Sequence, residues 1–257
     1  MSAAAGSATG LVLIPSYDTG PRLARTIAEA RAAWTPVWVV IDGSTDGSLR
    51  LAEEMAAGDP GLRVLARARN GGKGAAILCG LDAAARAGFT HVLTMDADGQ
   101  HPAAAIPEFM ALAAAHPGTV VLGVPVFDAT APALRVAGRR VSNALAEIET
   151  LGAGLGDCLF GFRAYPIAEL RAIMAQTRWM RGFDFDPEAA VRLVWRGLRP
   201  LPRPVPVRYF RREEGGVSHF RYGRDNALLF LMHVRLLLGL LARLPRLLAR
   251  RLRSSRH

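Results

Sequence analysis

The chain has 257 residues, of which 51% are apolar and 21% charged: one large domain or two small ones, with enough apolar surface to exclude disorder as the main state. Two cysteines, Cys79 and Cys158, exclude a disulfide scaffold and a cysteine-built zinc site, and they fit a reducing compartment. The formal charge is +10, but twelve arginines against three acids lie between Arg208 and His257, so the rest is nearly neutral and a uniformly basic nucleic-acid binder is excluded.

Residues 1–10 are small and polar with no basic n-region, and the apolar run Leu11–Ile14 stops at Pro15. No secretory signal is expected from that pattern. No stretch reaches the roughly 20 uninterrupted apolar residues of a membrane span. The nearest, Ala227–Ala242, is broken by His233 and Arg235. The expectation is a chain kept in the cytoplasm.

Short apolar runs rich in β-branched residues recur at Leu11–Pro15, Val37–Ile41, Leu62–Leu65, His91–Met95 and Val120–Val124. Between them, Arg22–Ala33, Asp46–Ala57, Gly74–Ala87 and Pro102–His116 have helical length and composition. This alternation predicts βαβ units and an α/β fold with a mostly parallel sheet covered on both faces. Beyond residue 127 the alternation ends. A helix is expected over Leu134–Thr150, a strand over Cys158–Tyr165, helices near 167–176 and 187–196, and an edge strand over Arg203–Phe210, where prolines donate no ladder bond. From Arg221 onward the chain reads as helix, broken at Pro245. The division expected is a catalytic domain over 9–222 and an amphipathic, basic helical tail over 223–257.

Ligands of parallel sheets bind beyond the carboxyl ends of the strands, so the loops there carry the chemistry. Asp96-Ala97-Asp98-Gly99-Gln100-His101-Pro102 follows the fourth strand. Two carboxylates so spaced can converge on Mg²⁺ or Mn²⁺ and leave positions for water and diphosphate oxygens. The same spacing also fits Asp98 capping the next helix with Asp96 solvated. Asn70-Gly71-Gly72-Lys73-Gly74 is not a P-loop, because Arg67 and Gly74 stand where that motif needs a glycine and a hydroxyl. Its glycines still offer backbone N–H groups to a phosphate or a base edge. Lys73 is the single lysine beside 31 arginines, which suits a compact ammonium held by chemistry or a chance survivor of arginine bias. In Asp42-Gly43-Ser44-Thr45-Asp46, the first carboxylate suits a nucleoside and Asp46 an N-cap.

Four motifs in this order resemble the family 2 glycosyltransferases of GT-A fold: Pro15-Ser16-Tyr17, Asp42 to Asp46, Asn70-x-Gly72-Lys73-Gly74-x-Ala76 and Met95-Asp96-Ala97-Asp98. The extended Asp96 loop, Asp157 with Gly161-Phe162-Arg163-x-Tyr165, and Gly216-x-Ser218 look like the dolichyl- and polyprenyl-phosphate hexose synthase branch. The resemblance implies that Pro15, Tyr17 and Asp42 hold the nucleoside of a nucleotide-diphosphate sugar, with Lys73 near it. It implies that Asp96, Asp98 and Gln100 bind the metal and diphosphate. Arg135, Arg139, Arg140 and Ser142 match the region that binds an acceptor phosphate. Ser218, His219 and Arg221 match a loop closing over the diphosphate, with His219 a further metal ligand. The expected reaction is metal-dependent, inverting transfer of a hexosyl group to a membrane-lipid acceptor such as polyprenyl phosphate.

Ile41-Asp42 replaces the two successive aspartates of many relatives, and a single carboxylate suits UDP over GDP. A hydroxyl acceptor would need a base, and Asp184 is the first candidate. Asp186 and Glu188 also fit the first turn of a helix. A nucleotidyltransferase would carry a Gly-rich, cationic loop where Ser16–Gly20 stands, and the Asp96/Asp98 pair argues against a non-catalytic sugar-nucleotide sensor. The leucine-rich, arginine-edged tail predicts peripheral attachment to an anionic cytoplasmic membrane face. Self-association is left open.

Overall fold

A computed structural model describes residues 9–127, 133–207 and 222–254; for 133–137, 222, 253 and 254 it describes the backbone alone. The strands are Gly10–Ser16 (β1), Val37–Asp42 (β2), Leu62–Arg67 (β3), His91–Thr94 (β4), Thr119–Val126 (β5), Arg163–Pro166 (β6) and Arg199–Pro206 (β7). The helices are Arg22–Ala33 (α1), Ser48–Ala57 (α2), Lys73–Arg86 (α3), Ile106–Ala115 (α4), Ala133–Glu149 (α5), Ile167–Ala175 (α6), Phe185–Arg196 (α7) and Tyr222–Ser254 (α8). A 3₁₀ turn at Ala103–Ala105 precedes α4.

The seven strands form one sheet in the order β3-β2-β1-β4-β6-β5-β7. All pairings are parallel except those of β6, which runs antiparallel to β4 and β5. Alternate residues of the central strands enter opposite cores. Leu11, Leu13, Trp38 and Val40 meet Ile77 of α3, Leu170 of α6 and Ala189 of α7. Val12, Ile14, Val39 and Ile41 meet Leu23 and Ile27 of α1 and Phe109 of α4. Burial on both faces is why these strands read as unbroken apolar runs.

Four local expectations need correction. The strand expected over Cys158–Tyr165 pairs only from Arg163. Before it, backbone groups bond across the site: Cys158 N–H to Asn143, Leu159 N–H to Asp157, and the Gly161 carbonyl to the Thr94 hydroxyl. The proline-spaced strand starts earlier, at Arg199, and lies at the sheet edge beside β5. Its prolines fall at alternate positions, so the missing N–H groups share one side of the strand, while the Arg199 N–H bonds the Gly118 carbonyl. Residues after 207 lie outside the described residues. Asp46 is not the N-cap of α2: Gly47 takes that place, and the Asp46 carboxylate accepts the Ser48 and Gly20 N–H groups at 3.0 and 2.7 Å.

The fourth correction concerns α8, which continues through Pro245. Pro245 and Leu241 are both on the exposed side, while Leu244 and Leu247 hold the helix on the core. One face of α8 is integral to the molecule. Met232, Leu236 and Leu240 are buried against the core, His233 Nδ1 lies 2.8 Å from Glu149 Oε1, and Arg235 reaches Glu188 at 2.6 Å. By length and composition, Gly223–Leu252 is apolar enough to cross a bilayer. The hydrogen bonds of His233 to Glu149 and of Arg235 to Glu188 lay it along α5 and α7.

Candidate active site

The carboxyl ends of β1, β2 and β4 converge. The β1 and β2 loops are pinned to each other: Asp18 accepts the Thr45 N–H at 2.7 Å, and the Asp18 N–H reaches the Ser44 hydroxyl at 3.0 Å. Pro15 is buried at the end of β1, and Tyr17 is half-buried just beyond it. Asp42, 2% exposed, accepts backbone N–H groups from Gly71 and Gly72 and pairs with Arg67. The Asn70-Gly71-Gly72 turn is therefore folded onto the Asp42 carboxylate. Gly72 has φ +92°, and a Cβ there would strike the Arg181 carbonyl.

Asp96 stands just past β4. Its backbone N–H bonds His101 Nδ1 at 2.9 Å, and His101 Nε2 lies 3.5 Å from Asp96 Oδ2. A ring nitrogen that accepts is unprotonated, so His101 carries its proton on Nε2 and faces the carboxylate with it. Phe160 and Phe162 hold the ring edge-on. Asp98 accepts the Gln100 N–H at 3.0 Å, which tightens the turn rather than capping a helix. Gln100 itself is half-buried beside it.

Lys73, the first residue of α3, bridges two carboxylates. Its Nζ lies 2.5 Å from Asp96 Oδ1 and 2.7 Å from Asp186 Oδ2. Burial pulls the ammonium's pKa down, but Asp186 and Asp96 outweigh that and hold it above the usual lysine value. Burial pushes the Asp96 carboxyl up, and its neighbours, Lys73 first with His101 and Arg163, more than reverse it. Asp98 ends above the usual range, through burial and then the neighbouring Asp96 charge. A Cβ on Gly161 would overlap the Lys73 ammonium and crowd the Asp96 carboxylate, so glycine there leaves the Lys73–Asp96 pair in place. Arg163 is fully buried and donates to the carbonyls of Asp186 and Asp157 at 2.5 and 3.1 Å.

Asp184 accepts the Met180 and Gly182 N–H groups at 3.1 and 2.9 Å, one on each carboxylate oxygen. On α5, Arg139 faces Asp157 at 3.5 Å, while Arg140 is exposed and Ser142 is buried. Arg135 shares the face of Arg139 and Ser142 by helical spacing, but its side chain is outside the described residues. Ser218, His219 and Arg221 also lie outside the described residues. Sequence reasoning gave no role to His101, Arg67 or the Lys73–Asp186 pair. Of these only His101 carried a signal, as a member of the extended aspartate loop.

The Asp96/Asp98 pair supplies hard oxygen donors of like charge, half-buried side by side, and suits a divalent cation. Among the described residues no three His, Cys, Asp or Glu side chains gather to enclose such an ion. An ion there would keep positions for donor oxygens and water, which is the donor set expected of Mg²⁺ or Mn²⁺ with a diphosphate.

A mostly parallel sheet with this constellation past its first, second and fourth strands defines a GT-A nucleotide-sugar transferase. The chain belongs to glycosyl transferase family 2, whose description matches residues 11–167, and it is a glycosyltransferase. It is 30% identical over 219 residues to the undecaprenyl-phosphate mannosyltransferase of Micrococcus luteus, covering 80% of this chain and 85% of that protein. It is 29% identical over 211 residues to the polyprenol monophosphomannose synthase of Mycolicibacterium smegmatis, covering 80% and 78%. These relatives place it beside the polyprenyl-phosphate hexose synthases. In fold it is similar to glucosyl-3-phosphoglycerate synthase of Mycobacterium tuberculosis, solved with Mn²⁺ and UDP: TM-score 0.63, 21% identity, 91% of this chain and 79% of that one. A Pyrobaculum calidifontis mannosyltransferase, solved with GDP-Man and Mn²⁺, is similar at TM-score 0.60 and 21% identity, over 88% and 62%.

Proposed function

We propose that this chain transfers a hexosyl group, with inversion, from a nucleotide-diphosphate sugar to a polyprenyl phosphate at the cytoplasmic face of a membrane. The observation that carries the reading is the Asp96/Asp98 pair past β4, with the Lys73 ammonium on Asp96 and the Arg163 charge acting on it. Asp96 and Asp98, joined by Gln100 and His219, would hold Mg²⁺ or Mn²⁺. The ion, when bound, neutralises charge developing on the departing diphosphate. His101 fixes the Asp96 carboxylate, and Lys73 adds a positive charge at the same place. Pro15, Tyr17 and Asp42 would hold the nucleoside. Arg135, Arg139 and Ser142 share one face of α5, which suits an acceptor phosphate, with Arg140 at its solvent edge. Ser218, His219 and Arg221 would close over the diphosphate.

The names of the curated relatives support a lipid-phosphate acceptor. Such an acceptor is already anionic, because a phosphate second pKa is about 6. The engagement of both Asp184 oxygens by backbone N–H groups favours this acceptor over a hydroxyl that needs Asp184 as base. The single carboxylate at Asp42 beside apolar Ile41 favours UDP over GDP. The test is mass spectrometry of the product made from a panel of nucleotide sugars and native lipid extract. A hexosyl-phosphoryl-polyprenol is expected; sugar on a lipid hydroxyl, or donor hydrolysis alone, would overturn the acceptor. Tighter GDP than UDP in a calorimetric titration with Mn²⁺ would overturn the nucleotide.

A further inference from the structure

The loop between α6 and α7 is built around a buried root with aromatic side chains on either side. Met180 is fully buried, while Trp179 and Phe183 are 39% and 41% exposed. Asp184 pins this loop by two backbone N–H groups, and Arg181 pins it again by donating to the carbonyls of Trp179, Met174 and Thr177. A loop so tied does not expose its aromatic rings through disorder. On its inner side the Arg181 carbonyl accepts the Ala75 N–H at 3.1 Å, in the first turn of the helix that carries Lys73.

On its outer side the loop meets α8. The Arg235 guanidinium lies over the Trp179 ring at 4.3 Å, and that of Arg178 lies 5.0 Å from the ring centre. Around Arg235 on the helix surface, at spacings of seven, four and three residues, stand Leu228, Leu231 and Leu238, which are 43%, 55% and 63% exposed. The exposed leucines of α8 therefore surround the arginine that covers Trp179. The helix carries seven arginines against one acid, Asp225, which is buried.

We propose that Trp179 and Phe183 extend the exposed face of α8 into one docking surface, and that its occupant is an anionic lipid bilayer. The inference rests on the lipid-acceptor reading and gives it an orientation. Tryptophan belongs at the bilayer interface, where arginines keep their charge in the headgroups and lay their stems along apolar surface. Two copies of this surface would set arginine against arginine, whereas an anionic headgroup layer meets them with opposite charge. Because the same loop supports the start of α3, a bilayer docked there brings lipid headgroups to the side of the molecule where Lys73 and Asp96 stand.

The experiment is co-sedimentation of the full chain with vesicles of phosphatidylglycerol and phosphatidylcholine, with tryptophan quenching by brominated lipid. The W179A/F183A variant should bind at least tenfold more weakly, with unchanged nucleotide affinity in the absence of vesicles. Bromolipid should quench the wild type, and W179F, which keeps the ring packing, should lose most of that quenching even if W179A/F183A folds poorly. Wild-type binding that W179A/F183A and W179F leave unaltered would overturn the aromatic anchor and leave the lipid-acceptor reading standing on α8. No wild-type binding to any vesicle at low salt would overturn both. Equal binding to pure phosphatidylcholine would overturn the anionic occupant. A solution dimer abolished by W179A/F183A would assign the surface to a second copy instead.

Discussion

Asp96 works at the residue scale through what surrounds it. His101 fixes its backbone and faces one oxygen, Lys73 takes the other, and Gly161 leaves the room for both. Replacing Asp96 or Asp98 by Asn changes charge but almost no volume, so the fold should survive while transfer falls more than tenfold, about 1.4 kcal/mol in barrier. Steady-state assays beside thermal melts check this, and a retained rate above a tenth would remove the pair from the chemistry. His101 makes a second prediction. Burial holds its imidazole below the usual value near 6.5, outweighing Asp96 and Asp98, so the folded chain resists a proton that the unfolded chain accepts. Stability tied to this group is complete above the unfolded pKa and declines as pH falls through it. Asn at this position can accept the Asp96 N–H without titrating. Urea titrations from about pH 7.5 to about pH 5.5 should therefore show a larger loss for wild type than for H101N; equal losses would exclude His101 as the sensitive group. Most of this site was legible, since its loops follow strands that alternation alone locates. The Lys73–Asp186 pair was not: the two residues are 113 apart in sequence, and an acid at position 186 fits a helix's first turn equally well.

Elements were legible where one physical signal dominated. Strands β1, β2, β4 and β5 are buried along most of their length and show as apolar runs, the edge strand β3 shows by its short β-branched and leucine run, and α1 falls on the residues its composition indicates. Reading failed where a segment's backbone is satisfied by side chains, as before β6, because no local pattern announces such bonds. It failed again at Pro245, since propensity assigns a break that packing of Leu244 and Leu247 overrides. The largest revision is α8. Its leucine-rich, arginine-edged sequence does not separate one set of leucines from another, and the structure divides them into a buried face and an exposed one. Leu236 is fully buried in that contact. Leu236→Ala should cost about 2–5 kcal/mol in denaturant unfolding, as for a core leucine. A helix that merely trails from the enzyme would lose nothing measurable, so an unchanged midpoint would contradict this packing.

At the scale of the whole molecule, charge is separated rather than balanced. A nearly neutral sheet domain carries an arginine-rich helix along one flank, and the acids facing that helix, Glu149 and Glu188, are buried in pairs with His233 and Arg235. They cannot offset the field that the exposed arginines project. Not every arginine serves that field. Arg250 bonds the carbonyls of Val194 and Trp195 at the end of α7, and Arg251 reaches the Leu151 carbonyl. Deleting 244–257 would therefore disturb α7 as well as remove charge, and point substitutions at exposed positions separate the effects. Arg224 and Arg246 are exposed on α8. Each basic residue near an anionic surface contributes up to about 1 kcal/mol. R224Q/R246Q should thus weaken binding to phosphatidylglycerol vesicles by up to about 30-fold at low salt, with an unchanged melting temperature. Because the contribution is screened, the gap between wild type and variant should narrow as ionic strength rises past about 0.15 M. Vesicle titrations at several salt concentrations measure both. A gap that persists undiminished in high salt would mean that the two arginines act through local contacts and not through the field of the helix.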